Sequence, residues 1–548
     1  MRWSPGRRPR CAFDPGRAVP RFGGPRQFAG RRAALDGEWP LIQLQDLVDE
    51  LGGELSGCEG EVSIREVQLD SRDVQPGDLF VAVKGGREDG GVYVADAIAR
   101  GAVAVLSRDA QGREGADPVP GVAHWTHDHV REAAGHAAAR AQGPPTQSLQ
   151  IVGITGTNGK TTCAHLLGQL LEAAGFEPAV LGTAGHSLIG GRTVESTHTT
   201  PPAPETQRLL ARHQRAGGKS VVMEVSSHAL DQKRTAGVDF KVGVFTNLTR
   251  DHLDYHSGMD SYLEAKARLF KNLASGTTAV LNKDDPAWEY LAHVARTAGA
   301  EIITYSVQQA ADFRASDLRT EPDGSRFTFD GMGIFSTELR IPLRGRFNVQ
   351  NALAAIAAAH CLGASPSANE LAEGLATFQP VPGRMEPVPC PGRDLEVFVD
   401  YAHTPDALTH ALGAAREGLR PHEERTPELW VVFGCGGDRD PGKREEMGRV
   451  AQAHSDRVVV TSDNPRSEDP ASIAEDILRG LTRAQSDACT VELDRRKAIE
   501  FALRQARPGD AILVAGKGHE TRQTIGGEAL PFDDRLVIQE ALCAGSSA

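Results

Sequence analysis

The sequence predicts an α/β protein of three domains, and three observations carry that prediction. Strand-sized apolar runs alternate with helix-length segments along almost the whole chain, the pattern of parallel sheets covered by helices. One such run, Leu149 to Ile154, passes through a glycine-rich loop straight into a helix-like segment, Cys163 to Ala174. Two Pro/Gly-rich breaks, Gln142-Gly143-Pro144-Pro145-Thr146 and Pro380-Val381-Pro382-Gly383, divide the pattern into thirds. A chain of 548 residues is in any case too long for one ordinary core.

Residues 1–39 are rich in Arg, Pro and Gly and lack apolar periodicity, so they are expected to form a disordered tail. Ser4 is their only serine, which argues against an organellar transit peptide. Residues 40–145 read as a small α/β domain: helix Leu44 to Leu51, strand Val67 to Asp70, strand Leu79 to Val83, helix Tyr93 to Arg100 and strand Ala102 to Leu106. Residues 146–379 hold the glycine-rich loop, strands Ser220 to Val225, Lys241 to Thr246 and Ala279 to Leu281, and helices near Tyr262 to Phe270 and Val349 to Cys361. A mostly parallel sheet follows from that alternation. Residues 380–548 supply strands Glu396 to Val399, Leu429 to Phe433, Arg457 to Thr461 and Ala511 to Val514, each followed by a polar loop and a helical segment, as in a Rossmann-like domain.

The net charge of -13 argues against a nucleic acid or an anionic membrane as the main partner. Eight cysteines lie scattered without ligand-like spacing, which reads as reduced thiols of a cytoplasmic protein. No apolar run approaches the length of a membrane span, so membrane insertion is not expected.

The glycine-rich stretch Gly153-Ile154-Thr155-Gly156-Thr157-Asn158-Gly159-Lys160-Thr161-Thr162 has the context of a phosphate loop. Glycines let backbone N–H groups point inward at phosphate oxygens, and the helix N-terminus adds partial positive charge. Lys160 would meet the outer phosphates and Thr161 would hold Mg2+, which makes the central domain a P-loop ATPase domain using ATP or GTP. Ile154 stands where the strict pattern has its first glycine, so the loop is a variant.

Ligands of open parallel sheets sit beyond the carboxyl ends of the strands. There the central domain places Glu224-Val225-Ser226-Ser227-His228 and the run from Asn247 to His256. Glu224 and His252 are candidate Mg2+ positions beside Thr161. The competing reading is that Asp251, His252 and His256 cap the next helix. Lys266 alone would read as a solvated helix lysine. In the last domain three loops converge, Gly434 to Arg444, Asp463-Asn464-Pro465-Arg466 and Gly516-Lys517-Gly518-His519-Glu520. The planar forks of Arg439 and Arg466 suit a carboxylate and Glu520 suits an ammonium, so an amino acid is the expected ligand. Asp469 is also expected to cap the helix from Ala471 to Leu478. There is no Gly-x-Ser-x-Gly elbow, and Ser226-Ser227-His228, read as extended, would point its neighbouring side chains to opposite faces. The attacking group is therefore expected from a substrate.

Taken together these motifs resemble the ATP-dependent Mur ligases of peptidoglycan synthesis, most closely the branch that adds 2,6-diaminopimelate. The resemblance covers the chain beyond the tail and includes Asp70-Ser71-Arg72, Thr199-Thr200-Pro201, Gly345-Arg346-Phe347-Asn348 with Asn351, Gly383-Arg384-Met385-Glu386 and Asp400-Tyr401-Ala402-His403-Thr404-Pro405. It implies that Ser71 helps the N-terminal domain bind the uridine nucleotide, and that Thr199, Thr200, Ser226, Gln232 and Arg234 hold the muramoyl-dipeptide. It implies further that Gly156 to Thr162 bind ATP, with Asn348 and Asn351 near adenine and Asp400 near the ribose and phosphates. Thr161, Glu224, His252 and a carbamylated Lys266 would hold Mg2+, and Arg439, Asp463, Asn464, Arg466, Gly516 and Glu520 the incoming amino acid. The Asp463-Asn464-Pro465-Arg466 form goes with meso-diaminopimelate, because Arg466 grips its extra carboxylate and repels the terminal ammonium of L-lysine. Gly91 departs from the histidine usual in relatives, which bears on uridine binding. The implied partners are small molecules, UDP-N-acetylmuramoyl-L-Ala-D-Glu and meso-diaminopimelate, acted on through an acyl phosphate by a monomer whose third domain closes over the second. Competing readings are an L-lysine-adding, other Mur or folylpolyglutamate-type ligase, and a non-catalytic ATP-dependent switch.

Overall fold

The computed structural model describes residues 41–57, 60–84, 89–108, 121–196, 198–331, 335–364, 366–420, 425–482 and 488–545. The expected tail, 1–39, lies outside the described residues. Residues 41–548 form one compact unit, an α/β structure of three domains.

The first sheet runs β2-β7-β6-β5-β4, from β2 (Glu54–Ser56), β4 (Val67–Gln68), β5 (Leu79–Val81), β6 (Ala104–Ser107) and β7 (Ala123–Thr126), beside a short pair of β1 (Ile42–Gln43) and β3 (Ser63–Ile64). Its strands from β4 to β7 are parallel. Buried Asp78 pins the start of β5: Arg65 Nη2 donates to it at 2.8 Å and Gln68 Nε2 at 3.2 Å.

The central sheet has the order β11-β10-β9-β12-β8-β13-β14-β15-β16-β17-β18. Its members are β8 (Gln150–Thr155), β9 (Pro178–Gly182), β10 (Gly185–Leu188), β11 (Arg192–Val194), β12 (Ser220–Glu224), β13 (Val242–Phe245), β14 (Thr278–Asn282), β15 (Glu301–Ser306), β16 (Phe313–Glu321), β17 (Gly324–Gly331) and β18 (Phe335–Ile341). From β9 to β16 pairing is parallel, whereas both flanks are antiparallel. The expectation of a mostly parallel sheet therefore missed the edges. The reason is physical: β16 to β18 bury alternate residues such as Phe313, Ala315, Phe327, Phe329 and Leu339 and leave the others wet, so they lack the continuous apolar runs that mark doubly covered strands. The helix read as Val349 to Cys361 also begins earlier, at Arg346.

The third sheet runs β19-β20-β24-β21-β22-β23, from β19 (Glu386–Val388), β20 (Glu396–Asp400), β21 (Leu429–Phe433), β22 (Arg457–Val460), β23 (Cys489–Val491) and β24 (Ala511–Ala515). It is parallel except for β19. A hairpin of β25 (Arg522–Ile525) and β26 (Glu528–Pro531) follows. Asp469 caps the helix Pro470–Leu478 through the Ala471 N–H, as the sequence suggests. Among the described residues no helix is long and apolar enough to cross a membrane.

Candidate active site

β8 delivers its last residue, Thr155, into the turn Gly156 to Gly159, and the helix Lys160–Ala173 starts at once. Gly159 takes φ +84°, and a side chain there would run into the amide of Asn351, so the loop needs glycine at this point on both counts. Gly153, by contrast, lies inside β8 against Phe240 and Leu269 and serves packing. Neighbouring strands fix the loop: Thr157 N donates to Asn247 O at 2.9 Å, Asn158 N to Asn247 Oδ1 at 2.9 Å, and Thr246 Oγ1 to Asn158 O at 2.7 Å. Lys160 Nζ folds back onto Gly156 O at 2.9 Å and Thr157 O at 2.8 Å. Burial lowers its pKa while Glu224 and Asp251 oppose that. Two carbonyls hold the ammonium where anionic phosphate oxygens would compete for it.

Thr161 links the loop to both neighbours. Its hydroxyl donates to Glu224 Oε2 at 2.9 Å and accepts from Arg384 Nη2 at 2.9 Å. Glu224, at the end of β12 and 1% exposed, also accepts from Thr183 N at 2.8 Å and Thr183 Oγ1 at 3.1 Å. Arg384 reaches across from the segment leading into β19, its guanidinium 4.6 Å from the Tyr401 ring. Sequence reasoning quoted Arg384 within a motif and gave it no role. A cation 223 residues downstream of Thr161 offers no local signal of its neighbour.

His252 has φ +56°, which turns its imidazole toward Asp251 at 3.5 Å and onto the His228 ring at 4.7 Å. Burial pushes its pKa down to about 3 against the pull of Asp251, so the ring is neutral and able to ligate a metal. The capping alternative fails: the next helix, Met259–Lys271, has Gly258 as its N-cap and no side-chain cap. The solvated reading of Lys266 fails as well. Lys266 is 1% exposed, its Nζ 4.2 Å from the centre of the Tyr262 ring, and burial with the nearby Lys160 charge holds its pKa well below the usual lysine range. The Ser-Ser-His segment is not extended either, since Ser226 accepts from Ala229 N and caps the helix Ser227–Asp231. A serine–histidine contact does form, Ser227 Oγ to His256 Nε2 at 3.0 Å, but both residues are buried and neither lines the cavity below.

The donor set fits a hard cation. Thr161 hydroxyl, Glu224 carboxylate and His252 imidazole border the same cavity, the mixture of oxygen with an occasional imidazole that Mg2+ accepts. Among the described residues no three His, Cys, Asp or Glu side chains form a ready metal cage, so phosphate and water would complete the coordination.

The dipeptide candidates are tied into one network. Thr200 Oγ1 donates to Glu224 O at 2.8 Å and accepts from Ser226 N at 3.1 Å, while Thr183 Oγ1 reaches Thr199 Oγ1 at 3.1 Å. Arg234 Nη2 donates to Gln232 Oε1 at 2.7 Å and its Nη1 to Thr200 O at 3.0 Å. Ser71 stands apart in the first domain, buried at the start of a short 3-10 turn that Asp70 caps. Gly91 is the second residue of a neighbouring turn, Gly90–Tyr93, its N–H held by Asp89 Oδ1 at 2.9 Å.

A cavity of about 600 Å3 joins Thr157 to Thr162, Thr199, Glu224, Ser226, His252, Asn348, Asn351 and Asp400. The central and third domains both line it. Asp400 accepts from Met385 N at 2.6 Å and Ala402 N at 2.8 Å, and burial raises its pKa against the Arg384 charge. Among the lining groups to which sequence reasoning gave no role are the stacked Phe347 and His410 rings, 5.5 Å apart, and Asp406, which accepts from Asn158 Nδ2 at 2.7 Å.

The amino-acid candidates gather at the carboxyl ends of β21, β22 and β24, outside that cavity's lining. Arg466, at φ +54°, donates through Nη1 to Gly437 O at 2.5 Å. Arg439 is exposed. Neither arginine has a carboxylate at ion-pair distance among the described residues, although most neighbouring arginines do, Arg444 with Glu468 at 2.9 Å for one. Glu520 Oε2 accepts from Asn464 Nδ2 at 2.8 Å and Lys517 Nζ at 3.0 Å. Asp463 is buried, which raises its pKa against the Arg495 and Lys517 charges, and its carboxylate fills the space where a side chain on Gly516 would go.

Comparison with known proteins agrees with this architecture. Family models match in chain order: Mur ligase family, catalytic domain, over 63–142; Mur ligase middle domain over 154–359; and Mur ligase, glutamate ligase domain, over 383–518. The chain belongs to the Mur ligase family and is an ATP-dependent, amide-bond-forming ligase. The UDP-N-acetylmuramoyl-L-alanyl-D-glutamate--2,6-diaminopimelate ligase of Gloeobacter violaceus is 45% identical over 92% of this chain and 98% of its own length. That of Chromobacterium violaceum is 44% identical over 88% and 94%. A solved structure of a ligase with the same description aligns at TM-score 0.64 and 34% identity, covering 92% of this chain and 99% of that one. A Mycobacterium tuberculosis folylpolyglutamate synthase, at 19% identity and TM-score 0.58 over 71% of this chain and 92% of its own, shares the fold.

Proposed function

We infer that this chain joins meso-2,6-diaminopimelate to UDP-N-acetylmuramoyl-L-Ala-D-Glu at the expense of ATP. The observation that carries the reading is the pairing, in one molecule, of a phosphate loop bordered by Glu224 with two arginines, Arg439 and Arg466, that lack acidic partners among the described residues. Curated relatives of nearly the same length bear that activity in their names.

The D-glutamyl γ-carboxylate takes the γ-phosphoryl group of ATP, releasing ADP. The diaminopimelate amine, having lost its proton, adds to the acyl carbon, and the tetrahedral adduct expels phosphate as the amide forms. Each step needs positioning and charge neutralisation rather than an enzymic nucleophile. Lys160 leaves its two carbonyls for the outer phosphates, and Arg384 brings a second cation from the third domain to the Thr161 hydroxyl. Thr199, Thr200, Ser226, Gln232 and Arg234 hold the dipeptide, and Ser71 the uridine nucleotide. Asn348 and Asn351, with the Phe347–His410 stack, face the adenine, and Asp400 the ribose. Thr161, Glu224 and His252 hold Mg2+, which when bound neutralises phosphate charge. Burial lowers the pKa of Lys266, which favours the free amine that would add to CO2 with release of a proton, and the carbamate would add an anion to that metal site. Arg439 and Arg466 take the diaminopimelate carboxylates, and Glu520 an ammonium. The protein acts as a cytoplasmic monomer.

The test is ATP-dependent phosphate release with UDP-N-acetylmuramoyl-L-Ala-D-Glu and meso-diaminopimelate, L-lysine or no amino acid. Release with meso-diaminopimelate alone is expected. Equal release with L-lysine would remove the Arg466 selectivity argument, and release independent of any amino acid would remove the ligase reading.

A further inference from the structure

Lys517 has been given no part in the reaction, yet it is the most fully enclosed cation near the amino-acid loops, with 0% exposure. Its three donors are all taken: Glu520 Oε2 at 3.0 Å, Asn464 Oδ1 at 3.2 Å and Arg522 O at 2.6 Å. An ammonium with three acceptors in a dry site is held in one place. Two of those acceptors belong to residues proposed to contact the amino acid, and the third begins the hairpin to which Arg466 is anchored by donating its N–H to Thr524 O at 3.0 Å. Thr524 N in turn donates to Asn464 Oδ1 at 2.9 Å.

This arrangement decides which atoms face a ligand. Asn464 must present Oδ1 to Lys517 and Thr524, which aims Nδ2 at Glu520. Glu520 Oε2 receives both Lys517 and Asn464, while Oε1 accepts no hydrogen bond among the described residues and the side chain keeps 32% exposure. One carboxylate oxygen is thereby committed to the protein and the other offered outward.

We propose that Lys517 is a positioning residue for the amino-acid substrate, a buried clamp that orients Glu520 and Asn464 so that Glu520 Oε1 receives the ammonium at the end of diaminopimelate that does not react. The proposal rests on the ligase reading above. Lys517 itself touches no substrate.

The experiment compares wild type, Lys517→Met, Lys517→Arg and Glu520→Gln in full-length protein, with meso-diaminopimelate and with 2-aminopimelate, which keeps both carboxylates and lacks the second amine. In Lys517→Met the KM for meso-diaminopimelate should rise about 10- to 100-fold, the range of a lost charge-assisted hydrogen bond, with the KM values for ATP and the uridine nucleotide nearly unchanged. The kcat/KM for 2-aminopimelate should barely move, so discrimination between the two amino acids collapses. Glu520→Gln should reproduce that collapse and Lys517→Arg should restore part of the discrimination. Equal losses on both amino acids, or parallel rises in all three KM values, would overturn the clamp. Should Lys517→Met fail to fold, Glu520→Gln and Lys517→Arg carry the comparison, and retained discrimination in Glu520→Gln would overturn it equally. Failure of wild type to release phosphate with meso-diaminopimelate would sink the ligase reading itself, and is visible before any variant is assayed.

Discussion

The two ends of the candidate site are built differently. The phosphate end is contiguous chain, Gly156 to Thr162, shaped by backbone and closed by bonds from its main chain to Thr246 and Asn247, just beyond β13. The amino-acid end has no backbone cradle of that kind. It is assembled from side chains on three loops, Arg439, Asn464 with Arg466, and Glu520, held in register by a lysine that has no exposure. A backbone cradle tolerates little and recognises a group common to every nucleotide. Side chains on separate loops set a charge pattern particular to one ligand. The first end should thus govern the rate with every substrate and the second the affinity for one.

The largest expected effect tests the phosphate end. Lys160→Met should lower kcat by about 10^3-fold, the scale of losing a preorganised charge at a developing oxyanion, with the ratio between amino acids unchanged. Phosphate release under saturating substrates measures it. A loss confined to the KM for diaminopimelate would erase the contrast between the ends.

That contrast also explains what the sequence discloses. Gly159-Lys160-Thr161 following an apolar strand is legible because its function resides in consecutive residues. The parallel strands around it are legible too, since burial on both faces leaves runs such as Val221 to Val225. Antiparallel β16 to β18 are not, because half their residues are polar and wet. Arg384 and Lys517 escape for another reason. Each acts through a partner distant in the chain or through burial, Arg384 on Thr161 and Lys517 on Asn464, and a lone cation carries no mark of either. Lys266 is the sharpest case: read from the helix pattern alone it is a solvent lysine, and only the fold encloses it.

The smallest effect separates the ends by pH. Burial is the leading cause that lowers His252 to about 3, His228 to about 4 and His519 to about 4. In the unfolded chain each would titrate near 6.5. The folded protein therefore binds fewer protons than the unfolded one as the pH drops below that value, and stability is complete above about pH 6.5 and lost progressively toward the folded values. The unfolding midpoint of the ligand-free protein should fall by a few degrees between pH 7.5 and pH 5. Substituting a histidine with Gln removes its share of the proton uptake, so each of His252→Gln, His228→Gln and His519→Gln should flatten the profile, by similar amounts, because all three folded values lie below pH 5. His228 and His252 lie on the phosphate side and His519 on the amino-acid loop, packed at 5.3 Å against Tyr401. If the two ends differ in rigidity as their construction implies, acid should loosen the His519 loop first: amides at residues 516–520 should lose protection at pH 5.5, measured against the intrinsic exchange rate at that pH, while residues 156–162 keep theirs. Equal loss of protection at both would mean that the loops and the phosphate cradle unfold as one unit, and the difference in construction would then have no counterpart in stability.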